Sequence, residues 1–159
     1  MYRGEIPGYV VLKDGTVFKG FGFGAEGQVL GEAVFNTSMS GYQEVVTDPS
    51  YYGQMVTFTY PMIGNYGSAD HLLESANAHS RAIIVREAKN TAWNATCPEA
   101  WLDWLTARGI VGVGGIDTAQ RFERNKQIVD QTGQVGDVDN AVGRAIGIAA
   151  DRAATRFGP

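Results

Sequence analysis

A single cysteine, Cys97, stands in a chain of 159 residues, so no intrachain disulfide can staple the fold. A domain of this size needs none, since it buries roughly 68–70% of the surface its unfolded chain exposes. A lone thiol fits a reducing compartment, and the cytoplasm is the expected location. Cations are in deficit, with 13 Lys and Arg against 17 Asp and Glu and a net charge of −4. That balance argues against nonspecific nucleic-acid binding and against an anionic membrane surface, both of which call for a basic face. No window approaches about 18 uninterrupted apolar residues, so no membrane-spanning helix is expected. The start, MYRGEIPGYVVLKDG, has no apolar run of the length a signal peptide requires. Histidine is scarce too, with His71 and His79 alone. With one cysteine they fall short of the four ligands of a structural zinc site, and neither metal nor cofactor is expected.

Glycine is abundant, at 21 residues without a collagen-like period, which points to many tight turns between short strands. Residues 9–13 (YVVLK) and 16–23 (TVFKGFGF) read as strands joined through Asp14-Gly15, a strong hairpin signal. A turn at 24–27 leads to a third strand over 29–35 (VLGEAVF), and a fourth is expected over 54–60 (QMVTFTY). Residues 61–68 (PMIGNYGS) read as a loop, and 81–86 (RAIIVR) as a buried strand. Thr96-Cys97-Pro98-Glu99 has the form of a capping box and would make Cys97 the first residue of a helix. Trp101, Leu102 and Leu105 then share one helical face, ended by Gly109. A strand over 110–116 (IVGVGGI) follows, and Asp117-Thr118 is placed to cap a helix through about Gln127. A last helix is expected from Asp139 or Asn140 to about Arg156, because Val142, Ala145, Ile146, Ala149 and Ala153 recur at helical spacing.

Few constellations carry chemistry. Gly22-Phe23-Gly24-Ala25-Glu26-Gly27 spells GxGxxG, but a dinucleotide site needs a helix directly after it, and a strand is expected there. The motif reads as a hairpin loop. Cys97 has no histidine beside it in sequence and reads as an inert, buried or half-buried thiol. Asp70, Glu74, Glu99 and Asp103 are scattered carboxylates on solvated faces. Trp93, Trp101 and Trp104 read as core or interface, since no basic residues interleave with them. The dense polar run 36–44 (NTSMSGYQE) admits two readings equally. Such a connection often carries function, yet Asn36, Thr37 and Ser38 can also satisfy their own backbone through turn motifs.

At this run the chain resembles a known family, the N-terminal domain of the carbamoyl-phosphate synthase small, glutamine-hydrolysing subunit. The resemblance rests on FNTSMSGYQE, TDPSY and TFTYPMIGNYG in order. It extends upstream through VLKDGTVFKGFGFGAEG and downstream through AIIVRE and WLDWLTARGIVGVGGIDT. It is strong over residues 9–118 and loose over 119–159, where Ala119-Gln120-Arg121-Phe122-Glu123 departs from the family's continuation.

The resemblance implies an α/β fold of three β/β/α layers, of the swivelling type, with residues 1–159 as a single domain. It implies partnership with the large subunit and with a second domain carrying a Cys-His-Glu glutaminase triad, for which this stretch has no room. No catalytic residue is therefore expected here, and Cys97 does not inherit the nucleophile's role. One site residue does carry over: Ser50 of TDPSY, which in the family meets substrate glutamine across the domain interface. Apart from that it would read as a turn residue after Pro49. A repurposed stand-alone relative, acting as a binding module or an enzyme of other chemistry, is the alternative.

Overall fold

The computed structural model describes residues 6–12, 15–92 and 95–118, and the strand backbone of 145–150. Strands β1 (Pro7–Leu12) and β2 (Val17–Gly24) form the expected hairpin, with Val10 opposite Phe18. Gly15 takes φ 87° in the turn and donates its N–H to the Leu12 carbonyl at 3.0 Å, a conformation that suits glycine. The expected third strand is two strands, β3 (Gly27–Val29) and β4 (Ala33–Asn36). They are the two end strands of the sheet order, and since residues 30–32 can span only about 14 Å, the sheet curls to bring those ends close together. Strands β5 (Met55–Phe58), β7 (Ala82–Ile84) and β9 (Val111–Gly114) fall inside the runs that predicted them. Two short strands, β6 (Met62–Ile63) and β8 (Glu87–Ala88), pair in parallel in a small second sheet. The PMIGNYGS loop is thus partly strand.

The eight-stranded main sheet has the order β3-β10-β1-β2-β9-β7-β5-β4. Its first half is antiparallel, and the β9-β7-β5-β4 half is parallel. Strand β10 (Ala145–Ala150) corrects the sequence reading, which placed a helix there. Small and β-branched residues around Gly147 suit either period, and the open edge of β1 supplies a ladder that β10 fills antiparallel. The remainder of that expected helix, and the one expected through Gln127, lie outside the described residues, as does Trp93.

Both faces of β5, β7 and β9 are buried, as parallel sheets require. Side chains alternate along each strand. Met55, Ala82, Ile84, Val111 and Val113 join Val10, Leu12 and Phe18 in one cluster. Val56, Phe58 and Ile83 join Tyr42, Trp101, Trp104 and Leu105 in another. The second cluster is roofed by helix α2 (Trp101–Ala107), whose tryptophans stack at 5.1 Å and are fully buried. On β9, Gly112 and Gly114 face Phe23 and Phe21 of β2. A Cβ on Gly112 would lie 2.3 Å from the Phe23 ring, so these positions are bare because the rings occupy their space.

Helix α2 is not capped as expected. Its N-cap is Ala100, without a side-chain bond, and Cys97 lies ahead of the helix, half-buried. The orphan Leu102 N–H is taken instead by Asn90 Oδ1 at 2.9 Å, a distant side chain doing the work of a local cap. The Thr118 hydroxyl likewise reaches back, donating to the Phe58 carbonyl at 3.0 Å. Asp70, Glu74, Glu99 and Asp103 are exposed, as expected. Among the described residues no helix is long and apolar enough to cross a membrane.

Candidate functional site

The polar run between β4 and β5 holds a helix that its composition did not announce, α1 (Tyr42–Thr47). The helix begins after Gly41, in the left-handed region at φ 78°. No side chain caps it locally. The Tyr66 hydroxyl accepts the Gly41 N–H at 2.7 Å and the Tyr42 N–H at 3.3 Å. Tyr42 answers, its hydroxyl donating to the Gly67 carbonyl at 2.7 Å and accepting the Tyr66 N–H at 3.2 Å. The two rings stack at 4.2 Å. Burial pushes both phenols above their ordinary pKa, because a phenolate would be stranded without water.

The inner face of α1 is polar as well as apolar. Gln43 Oε1 accepts the Ala69 N–H at 2.9 Å, and the Thr47 hydroxyl accepts the Glu74 N–H at 2.9 Å. The Thr47 hydroxyl also donates to the Gln43 carbonyl at 2.9 Å. The Ser75 hydroxyl donates to the Thr47 carbonyl at 2.6 Å. These bonds lash the run 68–75, which has little regular structure, to the helix. Within the polar run 36–44, Gln43 braces the fold, as does Thr47 just beyond it. Asn36 does local work, accepting the Ser38 N–H at 3.0 Å. Thr37, Ser38 and Ser40 are exposed, as is Met39.

Ser50 sits at the centre of a 3-10 turn, Pro49–Tyr51, directly after α1. Asp48 caps it: its Oδ1 accepts the Ser50 N–H at 2.8 Å and the Ser50 hydroxyl donates to the same oxygen. The side-chain bond first, then the backbone bond, hold the Asp48 carboxyl below its ordinary range, with His79 adding a smaller pull. Pro49 at the first turn position fixes its own φ. Asn36 Nδ2 donates to the Tyr51 hydroxyl at 3.1 Å, tying the turn to the end of β4. Ser50 is exposed, held by its neighbours without being enclosed.

Sequence reasoning named Ser50 and an Asx-type bond from Asp48, which the structure shows, but missed the helix that precedes the turn. Tyr42, read as part of a surface loop, is 1% exposed and belongs to the core. The helical spacing of Tyr42, Gln43, Val46 and Thr47, all buried, was the available signal, masked by polar side chains. Cys97 is half-buried, and His79 Nε2 meets the Ser75 hydroxyl at 2.9 Å. Among the described residues, no three His, Cys, Asp or Glu side chains converge on a position that could hold a metal ion.

Comparisons with known proteins bear on this site. The family model for the carbamoyl-phosphate synthase small chain, CPSase domain, matches residues 10–134. The carbamoyl phosphate synthase small chain of Parasynechococcus marenigrum is 48% identical over 116 residues, 73% of this chain and 30% of that protein. The protein of the same name from Chlorobaculum tepidum is 46% identical over 123 residues, 77% of this chain and 34% of that one. The one from Xanthomonas axonopodis pv. citri is 47% identical over 135 residues, 84% and 34%. The chain therefore spans about a third of the length of the curated relatives it matches.

Proposed function

The chain belongs to the family of carbamoyl-phosphate synthase small chains, and on that premise we propose that it is the N-terminal, structural and interaction part of such a small chain. In this reading it docks the large, ATP-using subunit and forms one wall of a glutamine site through Ser50. A Cys-His-Glu glutaminase domain supplies the nucleophile. The three-layer β/β/α arrangement over a single domain is part of the same reading. Its support is the pair of apolar clusters on opposite faces of the parallel strands, with β10 and β3 folded toward β9 on one side and α2 on the other.

The observation that carries the proposal is the Asp48–Ser50 cap. A hydroxyl that donates to Asp48 keeps lone pairs with which to accept from a ligand N–H, and the exposed turn presents it outward. The test is Ser50→Ala in the assembled synthase, assayed with glutamine and, separately, with ammonia supplied in its place. Losing a hydrogen bond to a charged substrate group costs about 1.5–3 kcal/mol, so the KM for glutamine should rise about tenfold or more. The ammonia-driven rate should not change. An equal loss with both nitrogen donors would overturn the assignment.

A further inference from the structure

One histidine is bonded to both flanks of the Ser50 turn. His79 Nε2 lies 2.9 Å from the Ser75 hydroxyl. That hydroxyl also lies 2.6 Å from the Thr47 carbonyl and 3.1 Å from the Asn77 carbonyl. A serine hydroxyl has one proton to give, and a carbonyl has none. The short contact to Thr47 takes the serine's proton, so the proton between Ser75 and His79 comes from the ring. This assigns the neutral ring as the Nε2–H tautomer, donating to Ser75. Through that one hydroxyl the ring reaches Thr47, the last residue of α1.

The backbone of His79 grips the same region on either side of Ser50. Its N–H donates to the Val46 carbonyl at 2.9 Å, in the last turn of α1. Its carbonyl accepts the Gly53 N–H at 3.1 Å, one residue past Tyr52. Residues 48–52, with Ser50 at their centre, thus form a bridge whose two ends are pinned to one residue. Inside the bridge, Asp48 holds Ser50, the Tyr51 N–H donates to the Asp48 carbonyl at 3.1 Å, and the Tyr52 N–H to the Pro49 carbonyl at 3.1 Å. Those bonds set the shape of the turn. The His79 bonds set where that shape sits against α1. The Tyr52 ring lies 6.1 Å from the His79 ring.

On the reading that Ser50 meets glutamine, on which this rests, we propose that His79 is a positioning residue for glutamine use, clamping the Ser50 turn through Ser75 and Gly53. The backbone bonds of His79 are open to any residue at this position. The ring's share is to close the 75–79 loop onto Thr47, and this fixes where those backbone bonds are offered.

Two substitutions separate the ring's bond from its bulk. His79→Phe keeps a ring beside Tyr52 and removes the Nε2–H, whereas His79→Gln keeps a side-chain N–H. In the assembled synthase His79→Phe should raise the KM for glutamine about threefold to tenfold, the equivalent of one neutral hydrogen bond, with kcat held within about twofold. His79→Gln should bring the KM back to within about twofold of the parent. In the isotope-labelled chain His79→Phe should speed amide exchange at Ser50 and Gly53, and His79→Gln should not. Ser75→Ala should reproduce the His79→Phe effect, and the two together should add nothing further. An unchanged KM in His79→Phe, where Ser50→Ala does raise it, would overturn the proposal and leave the role of Ser50 standing. A His79→Gln enzyme as impaired as His79→Phe, or full additivity with Ser75→Ala, would overturn it too. If Ser50→Ala itself leaves the KM unchanged, the glutamine reading fails, and unaltered exchange at Ser50 and Gly53 in His79→Phe then overturns the clamp as well.

Discussion

Tyr42→Phe removes one oxygen from the centre of the molecule and leaves the ring. That oxygen serves two backbone groups, the Gly67 carbonyl at 2.7 Å and the Tyr66 N–H at 3.2 Å. Tyr42 is 1% exposed, so water cannot replace what is lost. The aromatic contacts remain, with Tyr66 at 4.2 Å and Trp101 at 4.5 Å. The loss is therefore polar, one carbonyl and one N–H left unpaired. At about 1–3 kcal/mol for each orphan, and with neighbours failing to add fully, the cost is about 3 kcal/mol. With a urea m-value of about 2 kcal/mol/M, the unfolding midpoint should fall by about 1.5 M. Tryptophan fluorescence can follow it, since Trp101 packs on the altered ring. Tyr66→Phe is the comparison. Its hydroxyl also serves two N–H groups, but Tyr66 is only half-buried, so water can stand in and the cost should be about 1 kcal/mol. A midpoint shift for Tyr42→Phe under about 0.3 M, or one smaller than that of Tyr66→Phe, would refute the reasoning.

The same pair predicts a pH dependence. Burial raises both phenol pKa values above the ordinary 10.0, so their contribution to stability is fully present below pH 10 and is lost as pH climbs from there toward the folded values. Urea midpoints at stepped alkaline pH should decline, less steeply in Tyr42→Phe; a flat profile contradicts the burial argument. Gly112→Ala forces a methyl into the Phe23 ring on a strand paired on both sides and should cost about 1–3 kcal/mol, read as a lowered Tm. Asp48→Ala should speed hydrogen exchange at the Ser50 amide while leaving global unfolding unchanged, and an unaltered exchange rate would show that the cap does not order the turn. The chain alone should release no ammonia from glutamine, since no nucleophile with an adjacent base is expected in it; release abolished by Cys97→Ala would reverse that expectation.

The strands were legible where their chemistry was local. The hairpin of β1 and β2 follows from Asp14-Gly15 between β-branched runs, and β5, β7 and β9 from short apolar runs bounded by turns. What could not be read was set at a distance. The capping box at 96–99 satisfied every local rule, yet α2 starts later because Asn90, twelve residues before Leu102, holds the Leu102 N–H. The amphipathic pattern at 142–153 fits a helix, yet β1 has an edge to fill and takes 145–150 as a strand. Helix α1 was hidden because its buried face carries Gln43 and Thr47, whose partners at Ala69 and Glu74 lie in another loop. Ser50 was found through motif resemblance, and the Asx-type bond from Asp48 follows from the local sequence.

This arrangement explains how an exposed serine can be held in a defined place. A loop side chain ordinarily gains precision by being buried, at the expense of access to a ligand. Here the burial is displaced to the residues just before it. Tyr42, Gln43, Val46 and Thr47 anchor α1 on its inner face, and the helix ends at Asp48, which caps the turn. Tyr51, on the far side of Ser50, is bonded to Asn36 at the end of β4. Ser50 is thus bracketed on both sides by residues tied to the sheet, while its own surroundings stay open. The segments that do the anchoring, FNTSMSGYQE and TFTYPMIGNYG, meet through the Tyr42–Tyr66 pair. Loosening that pair should therefore reach Ser50 through the helix. If Ser50 lines a glutamine site as proposed, a Tyr42 variant that remains folded should raise the KM for glutamine in the assembled synthase without any direct contact to the ligand, and an unchanged KM would refute the link.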